Sequence, residues 1–165
     1  MRLTRYSDYA LRTLVYLGLR PGVQASIADV ARAYAISENH LVKVVHHLGK
    51  VGLVQTTRGR GGGLRLARAP EQIVIGEVLR LTEDDLDLVE CFGGECTLKG
   101  RCLLQRALGE AMAAFLAVLD RYTLAEVLDF RADEMRAVLG IPIDLTQLRQ
   151  RLPSGHGRTD AGTRR

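Results

Sequence analysis

The sequence predicts a mainly α fold with one small β-hairpin, a winged helix-turn-helix followed by a long dimerisation helix. Three observations predict it. Residues 5–50 hold three segments of helical period separated by short turns. Two strand-like runs around a glycine-rich "RGRGGG" follow at once. The charge is also lopsided: residues 1–70 carry eleven Lys and Arg against three acids, and residues 71–165 carry twelve against sixteen. A basic first half beside an acidic second half points to a polyanion-binding module joined to a unit with another task.

The first helix spans "RYSDYALRTLVYLGL", residues 5–19, with Tyr6, Leu11, Leu14, Val15 and Leu17 at inward spacing, and Pro21-Gly22 stop it. Ser26 followed by Asp29 forms a capping box for a short second helix whose inward stripe is Ile27, Val30 and Ala31. After the turn "AIS", Ser37 is positioned to cap a third helix, "ENHLVKVVHHLGKV", with Leu41, Val44, Val45 and Leu48 inward and Gly52 at its end. The strands are "LVQTT" and "LRLAR", and Pro70 closes the unit. Residues 1–70 are therefore the expected DNA-binding domain.

Residues 71–140 form the expected second unit. It has a short amphipathic helix in "IVIGEVLRLTE", an acidic run "EDDLDLVE", a cysteine loop, and a long helix starting at Arg101. Leu104, Leu108, Ala111, Met112, Phe115 and Leu119 line one face of that helix, and Thr123 with Glu126 caps a further short one. An apolar stripe outside a complete small domain needs a partner surface, most simply a second copy in a symmetric homodimer. Residues 141–165, ending "PSGHGRTDAGTRR", are expected to form a disordered tail.

Composition is ordinarily globular, at 47% hydrophobic and 25% charged residues. No apolar run approaches the ~18 residues that span a bilayer, and the N-terminus has no signal-peptide pattern, so a soluble, cytoplasmic protein without membrane contact is expected. An enzyme is not expected. The chain has no nucleophile–base constellation, and "RGRGGG" sits on a hairpin rather than between a strand and a helix.

In a helix-turn-helix the second helix enters the major groove with its N-terminal residues at the base edges. Here those are Ser37, Glu38, Asn39, His40 and Lys43. Asn bonds adenine in bidentate fashion, Ser serves any base, and Lys reaches guanine or phosphate. Arg58 and Arg60 on the hairpin are placed for the minor groove or phosphates, and Lys50, Arg65 and Arg68 for phosphate neutralisation. His46 and His47 read as surface or packing residues. The expected partner is double-stranded DNA with a palindromic operator.

All the cysteines, Cys91, Cys96 and Cys102, lie in "ECFGGECTLKGRC". The C-x4-C-x5-C spacing is neither two CxxC pairs nor the C-x2-C-x2-C run of ferredoxins. Gly93-Gly94 and Gly100 let the loop curl so that three sulfurs converge. Three thiolates with one other ligand suit an iron–sulfur cluster, a zinc site is an alternative, and redox-sensing free thiols are another.

"MRLTRYSDYALRTLVYL", "SIADVARAYAISENHLVKVVHHLGKVGLV", "TRGRGGGL", the cysteine loop and "ALGEAMAAFLAVLDRYTLAEVL" together resemble the winged-helix iron–sulfur transcriptional repressors, through roughly residue 130. That family includes an iron–sulfur biogenesis regulator and nitric-oxide-sensing repressors. The biogenesis branch has a histidine three residues after its last cysteine, where this chain has Gln105. The four-residue gap between Cys91 and Cys96 is similar to the nitric-oxide branch. The resemblance implies Cys91, Cys96 and Cys102 as cluster ligands, with Asp8 of the other protomer as the fourth and Arg12 holding that carboxylate or the loop. It implies a [4Fe-4S] cluster ahead of [2Fe-2S], nitric oxide as signal, and release from DNA on cluster nitrosylation. The alternative is a DNA-binding regulator responding to iron–sulfur status, zinc or thiol oxidation.

Overall fold

The computed structural model describes residues 2–59, 61–89, 92, 96–98 and 101–142. Seven helices and one hairpin follow in the order α1 (Arg5–Gly18), α2 (Ile27–Tyr34), α3 (Glu38–Lys50), β1 (Val54–Thr57), β2 (Gly63–Leu66), α4 (Ile75–Thr82), α5 (Leu103–Leu119), α6 (Leu124–Asp129) and α7 (Ala132–Val138) among the described residues. A single 3-10 turn, Pro70–Gln72, joins β2 to α4. The expected tail begins at residue 141, but Ile141 is buried in the core, and residues 143–165 lie outside the described residues.

Helix α1 is the centre of the fold and packs against α2, α3, α4, α6 and β2. That crowding decides which of its residues are buried. Ser7, Ala10, Thr13, Leu14, Tyr16 and Leu17 face the core, whereas Tyr6, Leu11 and Val15 are half-buried. The buried face therefore combines the expected Leu14 and Leu17 with Tyr16 and the small Ser7, Ala10 and Thr13, since neighbours pack on several sides of the helix. Thr13 satisfies its buried hydroxyl on the Tyr9 carbonyl at 2.7 Å.

Both expected capping boxes form. Ser26 accepts from the Asp29 N–H while Asp29 accepts from the Ser26 N–H at 2.9 Å, and Thr123 and Glu126 repeat the arrangement. Ser37 occupies the N-cap position of α3, but its hydroxyl makes no cap hydrogen bond, contrary to expectation.

The wing pairs β1 with β2 antiparallel, Val54 opposite Leu66 and Thr57 opposite Gly63. Ala25, just before α2, adds an isolated bridge to Leu64, with N–H to carbonyl distances of 3.0 and 2.7 Å. Gly63 permits that bridge, since a Cβ there would lie 2.8 Å from the Ala25 carbonyl oxygen. Buried side chains on both sides of Pro70 form one cluster, with Ile73, Val78, Leu124, Leu128 and Ile141 joining Leu14, Leu41 and Leu48.

As in the shorter α7, none of the residues of α5 is buried. Its C-terminal end is fastened to α4 by a bidentate Arg80–Asp120 pair at 2.6 and 2.7 Å and by the Ile75 N–H donating to the Tyr122 carbonyl at 2.9 Å. Leu103 and Leu104 at its start are 77% and 66% exposed. Of the expected stripe, Leu104 and Ala111 are exposed, while Leu108, Met112, Phe115 and Leu119 are half-buried.

Candidate functional site

Burial of Leu41, Val44, Val45 and Leu48 turns the opposite face of α3 outward. Ser37, Glu38, Asn39, His40 and Lys43 are all exposed at its N-terminal end. Ser37, whose hydroxyl makes no cap hydrogen bond, and Asn39 are both part of this exposed surface.

Two tyrosines of α1 hold α3 from behind. The Tyr6 hydroxyl lies 2.8 Å from His47 Nδ1 and donates to the Lys43 carbonyl at 3.5 Å. The Tyr9 ring sits 6.2 Å from the His40 ring. Burial, with help from Asp84, raises the Tyr6 phenol above its ordinary range. His47 is thus a packing residue, while His46 is exposed. Sequence reasoning placed Tyr6 in the core stripe and missed its polar end. The only signal was an aromatic pair, Tyr6 and Tyr9, at i,i+3.

On the wing, Arg58 is exposed. Arg60 lies outside the described residues. Arg65 donates to Gln55 Oε1 at 3.0 and 2.8 Å across the register pair. Because that partner is neutral, the arginine's charge stays available to a phosphate. Lys50 is exposed. Arg68 departs from expectation. It donates to the Gly52 and Val51 carbonyls at 3.1 Å each and to Glu77 at 3.0 Å, so it ties the C-terminal end of α3 to α4.

Asp8 and Arg12 form an ion pair at 2.8 Å on α1, with side chains 43% and 44% exposed. The hydrogen bond that Arg12 donates to Asp8 holds its guanidinium further into the charged form. Arg12 also lies 5.6 Å from the centre of the Tyr34 ring.

Cys91, Gly93, Gly94 and Gly100 lie outside the described residues. Cys96 and Cys102 are free, half-buried thiols, and Cys102 is the N-cap residue of α5. Phe92, beside Cys91 in the chain, packs near Gly109 of α5. Cys102 opens onto a concavity of about 530 Å³ lined by Phe92, Gln105, Arg106 and Gly109 among others. At the position where the biogenesis regulator has its histidine, the amide of Gln105 lines that space. Among the described residues no three metal-ligating side chains converge.

The soft donors fit an iron–sulfur group in chemistry: free thiols suit iron and sulfide, and an exposed carboxylate can serve as a hard fourth ligand from another chain. Among the described residues no helix is long and apolar enough to cross a membrane.

Residues 3–129 match the family Rrf2, described as an iron-dependent transcriptional regulator. A protein of Geobacillus kaustophilus (strain HTA426) named HTH-type transcriptional regulator NsrR is 53% identical over 143 residues, covering 84% of this chain and 97% of that protein. The Bacillus subtilis (strain 168) protein of the same name is 49% identical over 140 residues, covering 82% and 96%. Among solved structures, CymR (YrzC), the global cysteine regulator of B. subtilis, superposes with a TM-score of 0.67 at 26% identity, covering 79% of this chain and 98% of that one. IscR of T. potens gives 0.63 at 27% identity, covering 78% and 86%.

Proposed function

This chain belongs to the Rrf2 family of winged-helix transcriptional regulators, and from that premise we propose that it is a nitric-oxide-sensing repressor acting as a homodimer. It is a regulator rather than an enzyme. The observation that supports the finer reading is that one chain carries both free thiols, Cys96 and Cys102, and an exposed carboxylate on α1, and is so similar to the regulators named NsrR.

The proposed roles are as follows. Residues 1–70 read DNA, with Ser37, Asn39, His40 and Lys43 on the base edges and Arg58 and Arg60 on the wing. Residues 71–140 hold the signal and the dimer contact, through α5 and its uncovered leucines. Cys91, Cys96 and Cys102 would hold an iron–sulfur cluster, [4Fe-4S] rather than [2Fe-2S], with Asp8 of the partner subunit as the remaining ligand. Three thiolates and one carboxylate give one ligand per iron in a four-iron group. When bound, such a cluster would supply iron able to take nitric oxide as a ligand, the chemistry through which the signal would end repression.

Everything else is work for the chain's own residues. Asp8 is held by Arg12 one turn along its own helix, and in the proposed dimer the cysteine site of the other protomer would compete for it. Engaged across the dimer, Asp8 fixes α1 and hence α3 behind it at the spacing a palindromic site requires. Returned to Arg12, it leaves each α3 free to lose register.

The test is operator binding by protein purified without oxygen, with and without nitric oxide. Wild type should bind tightly and release on exposure, while Asp8→Ala should bind weakly from the start. An Asp8→Ala protein that binds and responds like wild type would remove the cross-protomer link.

A further inference from the structure

The start of α1 is strapped to the segment that leads into the cysteines. Glu83, the first residue after α4, accepts from the Thr4 N–H at 2.9 Å and from the Thr4 hydroxyl at 3.1 Å. Thr4 is itself the N-cap of α1, its hydroxyl oxygen accepting from the Ser7 N–H at 3.2 Å. The strap therefore grips the residue that sets where the helix begins. Half a turn further on, the Tyr6 hydroxyl crosses to α3, where it meets His47 Nδ1 and the Lys43 carbonyl. Asp84, next to Glu83 in the chain, is near enough to act on the Tyr6 phenol. Residues 84–89 then run directly toward the cysteines.

A phenylalanine at position 6 would fill the same half-buried space. The hydroxyl is needed only for what it touches, which is the recognition helix at two points one turn apart. Lys43 lies on the exposed DNA-facing turn and His47 on the following one.

We infer that Tyr6 is a positioning residue that couples the cysteine segment to the recognition helix: Glu83 sets the start of α1, and the Tyr6 hydroxyl carries that placement to His47 and Lys43. This rests on the reading that the cysteine segment controls DNA binding. It differs from the Asp8 link in running within one chain, so it operates even where the partner's contribution is removed.

Two measurements on the full-length chain test it. The first is the ratio of operator Kd between cluster-free and cluster-loaded protein, for wild type and Tyr6→Phe. The variant should keep the visible absorbance per chain and its melting temperature, while the ratio falls roughly three- to tenfold toward one, the scale of one lost hydrogen bond. His47→Gln should lower the ratio similarly, and the double variant should be no worse than either single one. The second measurement needs no cluster: the His47 ring resonances of cluster-free protein with and without Glu83→Ala. Removing the strap should shift them in the wild-type background and leave them still in Tyr6→Phe.

An unchanged ratio in Tyr6→Phe, additive effects in the double variant, or an equal Glu83→Ala shift in both backgrounds would overturn the inference. A wild-type ratio of one would instead sink the parent reading and with it the coupling to DNA. The ring resonances would in that case still decide whether the strap reaches α3.

Discussion

At the scale of single residues, the proposed reading gives bases and phosphates to different side chains. Asn39 offers an amide on the exposed turn of α3, whereas Lys50 offers only a charge at the helix's other end. Asn39→Ala should cost about 1–3 kcal/mol on the preferred operator and relax discrimination there. Lys50→Ala should weaken all sequences alike and reduce the salt slope by about one. Binding titrations on operator and scrambled DNA at several salt concentrations check both.

Tyr34 gives a second prediction at this scale. Burial pushes its phenol from the ordinary 10.0 up to about 12, with Arg12 opposing. The folded value lies above the unfolded one, so the neutral phenol contributes its full stability below the unfolded pKa and loses it as pH climbs toward the folded pKa. Wild type should lose more stability than Tyr34→Phe between about pH 9 and about pH 11.5. Urea midpoints at the two pH values measure the difference.

Residue identity made some of this legible in advance and hid the rest. The inward face of α3 is Leu41, Val44, Val45 and Leu48, all large and apolar, so periodicity alone finds it. On α1 the buried positions include Ser7, Ala10 and Thr13 beside Leu14, Tyr16 and Leu17, and apolar periodicity does not reveal the small and polar ones. The Tyr6–His47 contact joins positions 41 residues apart, and the Arg68 clamp spans 16 and 17 residues to its carbonyls. Both depend on tertiary packing.

At the scale of elements, caps and close approaches hold the reading head in shape. The Ser26–Asp29 box starts α2, and its two hydrogen bonds hold the Asp29 carboxyl below the usual carboxylate range. Ser26→Ala should therefore cost about 1 kcal/mol, read as a lowered urea midpoint with an unchanged slope. These boxes were visible in the sequence because a cap is a local pattern of two residues at fixed spacing. Ser37 shows the limit of that logic. Its type and position fit a cap, yet the hydroxyl makes no such bond, and only the backbone geometry decides that. The wing also obeys local rules, with Gly62 and Gly63 where a Cβ would collide with Thr57 or Ala25 backbone.

At the scale of the whole molecule, the charge asymmetry and the bare α5 divide the labour. Residues 1–70 carry the basic excess, while α5, 17 residues long, packs on α4 and has no buried residue among the described ones. A second copy is the covering that the proposed mechanism requires, since only then does Asp8 reach a cysteine site other than that of its own chain. The measurement that tests this most directly is a non-denaturing mass spectrum of protein purified without oxygen. The account predicts two chains carrying iron and sulfide mass on each, as four-iron units, with the added mass reduced in Asp8→Ala. A spectrum showing one zinc per chain, or no added mass, would contradict it and leave a winged-helix regulator whose cysteines serve another purpose.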